Sequence, residues 1–208
     1  MSKRWVSIVA GITLTIAVFL NFISEILSYV HLYRMAGSDF VAVAGVNLFL
    51  TVLFTVADVL VVVGAFSNKL GLPMILGTGL WTFTAILNTF IRLFQTRGFS
   101  VGDFFLSIFT TVIPTLVPTL ICIMVISTLI TKRRVTNLIV VVPVLNFVAG
   151  FVNLVISCVY MMPMDFFELY KAIFMPTAIM MIYTVAYLFL GMFIEGKGIA
   201  YEREKSLQ

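Results

Sequence analysis

Residues 103–134 read DFFLSIFTTVIPTLVPTLICIMVISTLITKRR, and this stretch decides the class of fold. From Phe104 to Thr131 there is no charged side chain, and the run stops on three bases, Lys132, Arg133 and Arg134. At about 1.5 Å per helical residue it is long enough to cross a hydrocarbon core roughly 30 Å thick. Lipid offers no partner for backbone N–H and C=O groups, so such a segment must be a helix.

The rest of the chain repeats the pattern. Hydrophobic residues make up 62% of it, charged residues 11%, and the mean hydropathy is +1.15. A soluble domain is about half apolar and about a quarter charged. Six spans follow, over 5–30, 41–66, 73–95, 104–131, 136–162 and 170–194. The expectation is an all-α, polytopic membrane protein with a single transmembrane domain over 1–195 and a polar, solvated tail over 196–208. The opening MSKRW and the run after it exceed the apolar core of a secretion signal, and the segment reads as a retained first helix.

Charge placement gives orientation. Nine of the 13 Lys and Arg residues, namely Lys3, Arg4, Lys69, Lys132, Arg133, Arg134, Lys197, Arg203 and Lys205, fall at one end of the spans. Arg34, Arg92, Arg97 and Lys171 fall at the other. The positive-inside rule then puts both termini in the cytoplasm and the protein in the plasma membrane as a multi-pass protein. Because the bases border apolar runs, the net charge of +4 points to a lipid surface and not to nucleic acid.

The quoted stretch has an echo. DFFELYKAIFMPT at 165–177 shares its DFF and PT with DFFLSIFTTVIPT at 103–115, and SDF at 38–40 gives a third, weaker mark. Asp39, Asp103 and Asp165 stand at nearly equal spacing, each before an even-numbered span, where an acid caps a helix N-terminus. The chain therefore reads as three consecutive helical hairpins. Pro114 and Pro176 each follow their Asp by eleven residues. That is about 16 Å along a helix, close to the bilayer midplane. Each proline removes one backbone hydrogen bond. Such breaks mark binding sites in repeat-built transporters, and they also occur as plain kinks.

Polar residues inside the spans share faces. Asn47, Thr51, Thr55 and Asp58 form one stripe on the second span, and Asn21, Glu25 and Ser28 another on the first. Asn88 and Arg92 lie on the third span, Asn146 and Asn153 on the fifth. Interhelical hydrogen bonding explains each Asn separately; together they allow a polar interior. Glu25 and Arg92 stand at matching depth and suggest an ion pair. Asp58 lies deeper with no matching base, and Thr82, Thr84 and Asn146 are its expected neighbours. A carboxylate there must be protonated, hydrated or bound to a cation, or held neutral by hydrogen bonds.

Catalytic patterns are missing. The single His, His31, precludes a Ser-His-Asp set, and no HExxH, CxxC or phosphate-binding glycine loop occurs. No catalytic residue, metal site or cofactor is expected. The solute candidates are Glu25, Asn47, Asp58, Asn88, Arg92, Asn146 and Asn153, with Pro114 and Pro176 as helix breaks. The expected function is binding or translocation of a small solute through a polar bundle interior. The alternative is a non-transporting subunit for assembly, immunity or resistance, docking a membrane or cytoplasmic partner through Lys132, Arg133 and Arg134.

In size and topology the chain is similar to the substrate-capturing subunits of energy-coupling-factor vitamin importers. These also have about six helices, cytoplasmic termini and no ATP-binding domain. The resemblance implies an outward-facing pocket near Glu25, Asn88, Arg92 and residues 31–39. A coupled transporter would place its weight on Asp58 instead.

Overall fold

A computed structural model describes residues 4–36, 40–95, 108–135, 137–160 and 173–207, and these contain no strand. Six helices result: α1 (Arg4–Ala36), α2 (Phe40–Phe66), α3 (Leu72–Gln95), α4 (Ile113–Thr131), α5 (Leu138–Tyr160) and α6 (Met175–Ser206). Each holds a segment long and apolar enough to span a bilayer. Asp39, Asp103, Asp165 and the tripeptides around them lie outside the described residues, apart from Phe40 at the start of α2.

The helices close a ring. Each packs on the next in chain order, α6 returns to α1, and α4 also touches α6 across the middle. Hairpin pairs are thus present without being set apart, since the α2–α3 contact is as intimate as any within a hairpin. Large apolar side chains such as Phe19, Phe49, Phe83 and Ile130 point outward, where lipid covers them.

Small residues set the helix separations. A Cβ at Gly77 would stand 2.7 Å from Val61 Cγ2 and 2.8 Å from the Val61 nitrogen, so α2 and α3 touch backbone to backbone there. Between α1 and α2, Gly11 meets the Phe66 ring and the Ser7 hydroxyl donates to the Ala65 carbonyl. Such contacts replace the water-driven force that bilayers do not provide between helices. In the α2–α3 turn Asn68 is left-handed at φ 53°, and α4 ends on Lys132 at φ 55°, whose N–H donates to the Thr128 carbonyl at 3.1 Å.

One end of the ring collects Arg4, Lys69, the 132–134 loop and the close of α6. It is joined by the edge-on Trp5–Phe189 ring pair at 6.2 Å. Here α6 runs on through the polar tail to Ser206, with residues 203–207 exposed. Gly198 lets the Arg133–Arg134 backbone approach, Glu202 accepts the Arg134 N–H at 3.0 Å, and Lys132 lies 4.4 Å over the Tyr201 ring. These contacts hold a polar segment helical that hydropathy alone would release.

Both marked prolines have the same setting. Pro114 is second in α4 and Pro176 second in α6, and each follows π-helical residues, Ile108–Val112 and 173–174. Among the described residues the chain widens its turn ahead of each proline, so the ring clears the carbonyl that a regular turn would drive into it.

Candidate functional site

Within the ring, on the side away from the basic end, lies a cavity of about 690 Å³. Every helix contributes to its wall. From α1 come Asn21, Glu25, Ser28 and Tyr29, and from α2 Asn47, Thr51 and Phe54. The α3 wall is Thr84, Ala85 and Asn88; Thr110 and Thr111 come from the π-helical residues before α4, and Pro114, Thr115, Val117 and Pro118 from α4 itself. Asn146 and Asn153 close it from α5, and Met180, Tyr183 and Tyr187 from α6. A second space of about 340 Å³ shares Asn21, Pro114, Asn146, Asn153 and Met180 with it and reaches Pro176 and Thr177.

The helical period explains the convergence. Asn47, Thr51 and Phe54 follow at steps of four and three, Tyr183 and Tyr187 stand four apart, and Asn146 and Asn153 stand seven apart, two helical turns, so each set shares one face. Several wall groups are already hydrogen-bonded, to each other or to a neighbour just behind the wall. Tyr29 and Thr51 hydroxyls meet at 2.9 Å between α1 and α2, and Thr89 meets Thr115 at 2.5 Å between α3 and α4. The Asn146 amide donates to Thr184 Oγ1 at 2.8 Å and to the Met180 carbonyl at 3.3 Å, which fastens α5 to α6. Asn146 therefore serves as helix glue and as cavity wall at once.

Asp58 lies beneath this cavity, 1% exposed. The Trp81 indole N–H donates to its Oδ1 at 2.8 Å, and the Tyr183 hydroxyl donates to its Oδ2 at 3.3 Å. Trp81 is boxed by Phe54, stacked at 6.3 Å, and by Tyr187, edge-on at 6.0 Å. Tyr183 and Tyr187 both reach the cavity, so the carboxyl is separated from it by a layer one side chain thick. The expected neighbours Thr82, Thr84 and Asn146 bond elsewhere: Thr82 to Thr78 and Pro118 carbonyls, Thr84 to the Leu80 carbonyl.

Trp81 shares α3 with the expected Thr82 and Thr84, whereas Tyr183 comes from α6 and not from the α5 of Asn146. A signal for Trp81 exists. Residues equidistant from the 69–70 turn face each other across the α2–α3 hairpin, and Asp58 and Trp81 are such a pair. Tyr183 comes from α6, for which no local pattern exists. Of the other candidates, Glu25, Asn47, Asn88, Asn146, Asn153 and Pro114 share the larger cavity, and Pro176 lines the smaller one. Arg92 belongs to α3, with its side chain outside the described residues, as is the 37–39 segment. No group of three or more His, Cys, Asp or Glu side chains placed to hold a metal occurs among the described residues.

The helices and their lipid-facing surface define a multi-pass integral membrane protein with a polar chamber inside it. No protein-family model matches the chain, and neither a curated protein nor a solved structure shows significant similarity to it.

Proposed function

We propose that the protein binds a small polar solute in the ring cavity and passes it across the membrane, alone or as the substrate-binding subunit of a larger transporter. A single observation carries this reading: a chamber of about 690 Å³ walled by side chains from all six helices. That volume lies within the range of about 300–1,000 Å³ typical of small-molecule sites. Five amides (Asn21, Asn47, Asn88, Asn146 and Asn153) and the hydroxyls of Ser, Thr and Tyr offer donors and acceptors together. They suit a compact solute rich in hydrogen-bonding groups. Keeping so many polar groups in a bilayer interior is costly unless they are used.

The basic end supports a cytoplasmic location for both termini in a plasma membrane. Among the described wall residues there is no His to serve a hydroxyl nucleophile as its base, and binding is a better account of the wall than catalysis. One observation favours the subunit reading: Lys132, Arg133 and Arg134 are all exposed at that end. Reversing these three charges should then release a partner that co-purifies with the wild-type protein.

The cavity reading is tested by equilibrium dialysis of the purified protein against a polar metabolite fraction, read by mass spectrometry. The expected result is enrichment of one compound by the wild type and its loss in Ala85→Trp, where an indole fills the chamber. Equal enrichment by both proteins would sink the reading.

A further inference from the structure

We propose that Asp58 is a proton-binding site that exchanges with the cavity through the Tyr183 hydroxyl. Asp58 is the one charged residue of α2 and is 1% exposed. A bare carboxylate at such depth is costly in a bilayer interior. Two donors reach it, a Trp N–H at 2.8 Å and a Tyr O–H at 3.3 Å, and both are neutral.

The donor set selects the ligand. Sodium and similar hard cations need a shell of about six oxygens. Trp81 turns an N–H toward Oδ1 instead, and an indole donates without accepting. A proton fits the same heavy-atom geometry. With Asp58 protonated on Oδ2, the acid O–H donates to Tyr183 Oη, while Oδ1 continues to accept from Trp81. The Tyr183 proton then turns toward the cavity, where water accepts it.

Exchange follows from the position of Tyr183 between the carboxyl and the chamber. A polar chamber of this size holds water. A hydronium ion in the cavity gives a proton to Tyr183 Oη as the tyrosine's own proton passes to Asp58 Oδ2, leaving water, a neutral tyrosine and a neutral acid; the reverse order unloads the site and returns hydronium to the cavity. The titratable groups near this path are Tyr183 and Tyr187 on α6 and Glu25 and Tyr29 on α1. Trp81 and Thr84 on α3 do not titrate, and the described wall residues of α4 and α5 carry no titratable group.

The proposal goes beyond solute binding and does not depend on it, because it is read on the protein without solute. The experiment is infrared difference spectroscopy of the protein in lipid nanodiscs, titrated from alkaline to acidic pH in sodium and in potassium buffers. We expect a carboxylic-acid carbonyl band that grows with acidity in wild type, is absent from Asp58→Asn and is the same in both salts. Asn keeps the shape of the protonated acid, its oxygen accepting from Trp81 and its N–H2 donating to Tyr183, so that variant should fold. In Tyr183→Phe the band should shift in frequency and its hydrogen–deuterium exchange should slow at least tenfold. This second variant carries the test if Asp58→Asn fails to fold. No titrating band, a band abolished by sodium, or unchanged exchange in Tyr183→Phe would each overturn the proposal. Loss of solute enrichment with this band intact would refute only the cavity reading.

Discussion

Replacing Trp81 by Phe removes one hydrogen bond and one ring from a buried polar contact between α2 and α3. The indole N–H lies 2.8 Å from Asp58 Oδ1, and both residues are 1% exposed. Water has no access to the oxygen left behind, and an unsatisfied buried acceptor costs about 1–3 kcal/mol. The smaller ring also leaves a void between Phe54 and Tyr187, which adds about 1–2 kcal/mol by comparison with other core truncations. The sum is about 2–5 kcal/mol. Trp5→Phe is the control, because Trp5 is 53% exposed and pairs edge-on with Phe189. Its cost should stay within about 0.5 kcal/mol, the usual range at exposed positions. Reversible unfolding of both variants in the same bilayer mimetic gives the comparison. If Trp81→Phe were no more destabilising than Trp5→Phe, the account of how Asp58 is held would be wrong.

Three further outcomes follow from contacts elsewhere in the ring. Gly77→Ala puts a Cβ 2.8 Å from the Val61 nitrogen and 3.0 Å from the Ala57 carbonyl oxygen, so α2 and α3 must part, whereas a Cβ at Gly79 meets nothing within 4 Å. Gly77→Ala should cost about 1–3 kcal/mol and Gly79→Ala should be neutral or stabilise by up to about 1 kcal/mol, as read by thermal unfolding. Asn146→Ala cuts two hydrogen bonds between α5 and α6, but Thr184 keeps its own bond to the Met180 carbonyl, so the loss should be only about 1 kcal/mol. Gly198→Ala would place a Cβ 2.7 Å from Arg134 Cα; amide exchange over 198–206 should quicken while the ring melts nearly as before.

Hydropathy made the six spans legible because each is written as a long uncharged run, and lipid leaves such a run one backbone solution. Polar stripes on α1, α2, α3 and α5 named the asparagines and Glu25 of the cavity wall, since a 3.6-residue period fixes which residues share a face. Two things escaped. The helical close of α6 depends on Gly198, Tyr201 and Glu202 meeting the 132–134 loop, a contact between distant segments that polar composition conceals. The Asp58 site depends on Tyr183, and α6 reaches it only because the ring closes. The Thr89–Thr115 and Thr82–Pro118 bonds on α3 and α4 also went unseen, because threonines in a membrane helix look like filler until a facing carbonyl or hydroxyl is placed beside them.

Native mass spectrometry of the protein gently extracted from its own membrane tests the solute-binding reading most directly. The account predicts a small polar molecule retained at one per chain, and lost when Ala85→Trp fills the chamber. A stoichiometric protein partner with no bound small molecule would contradict it and turn the search to that partner.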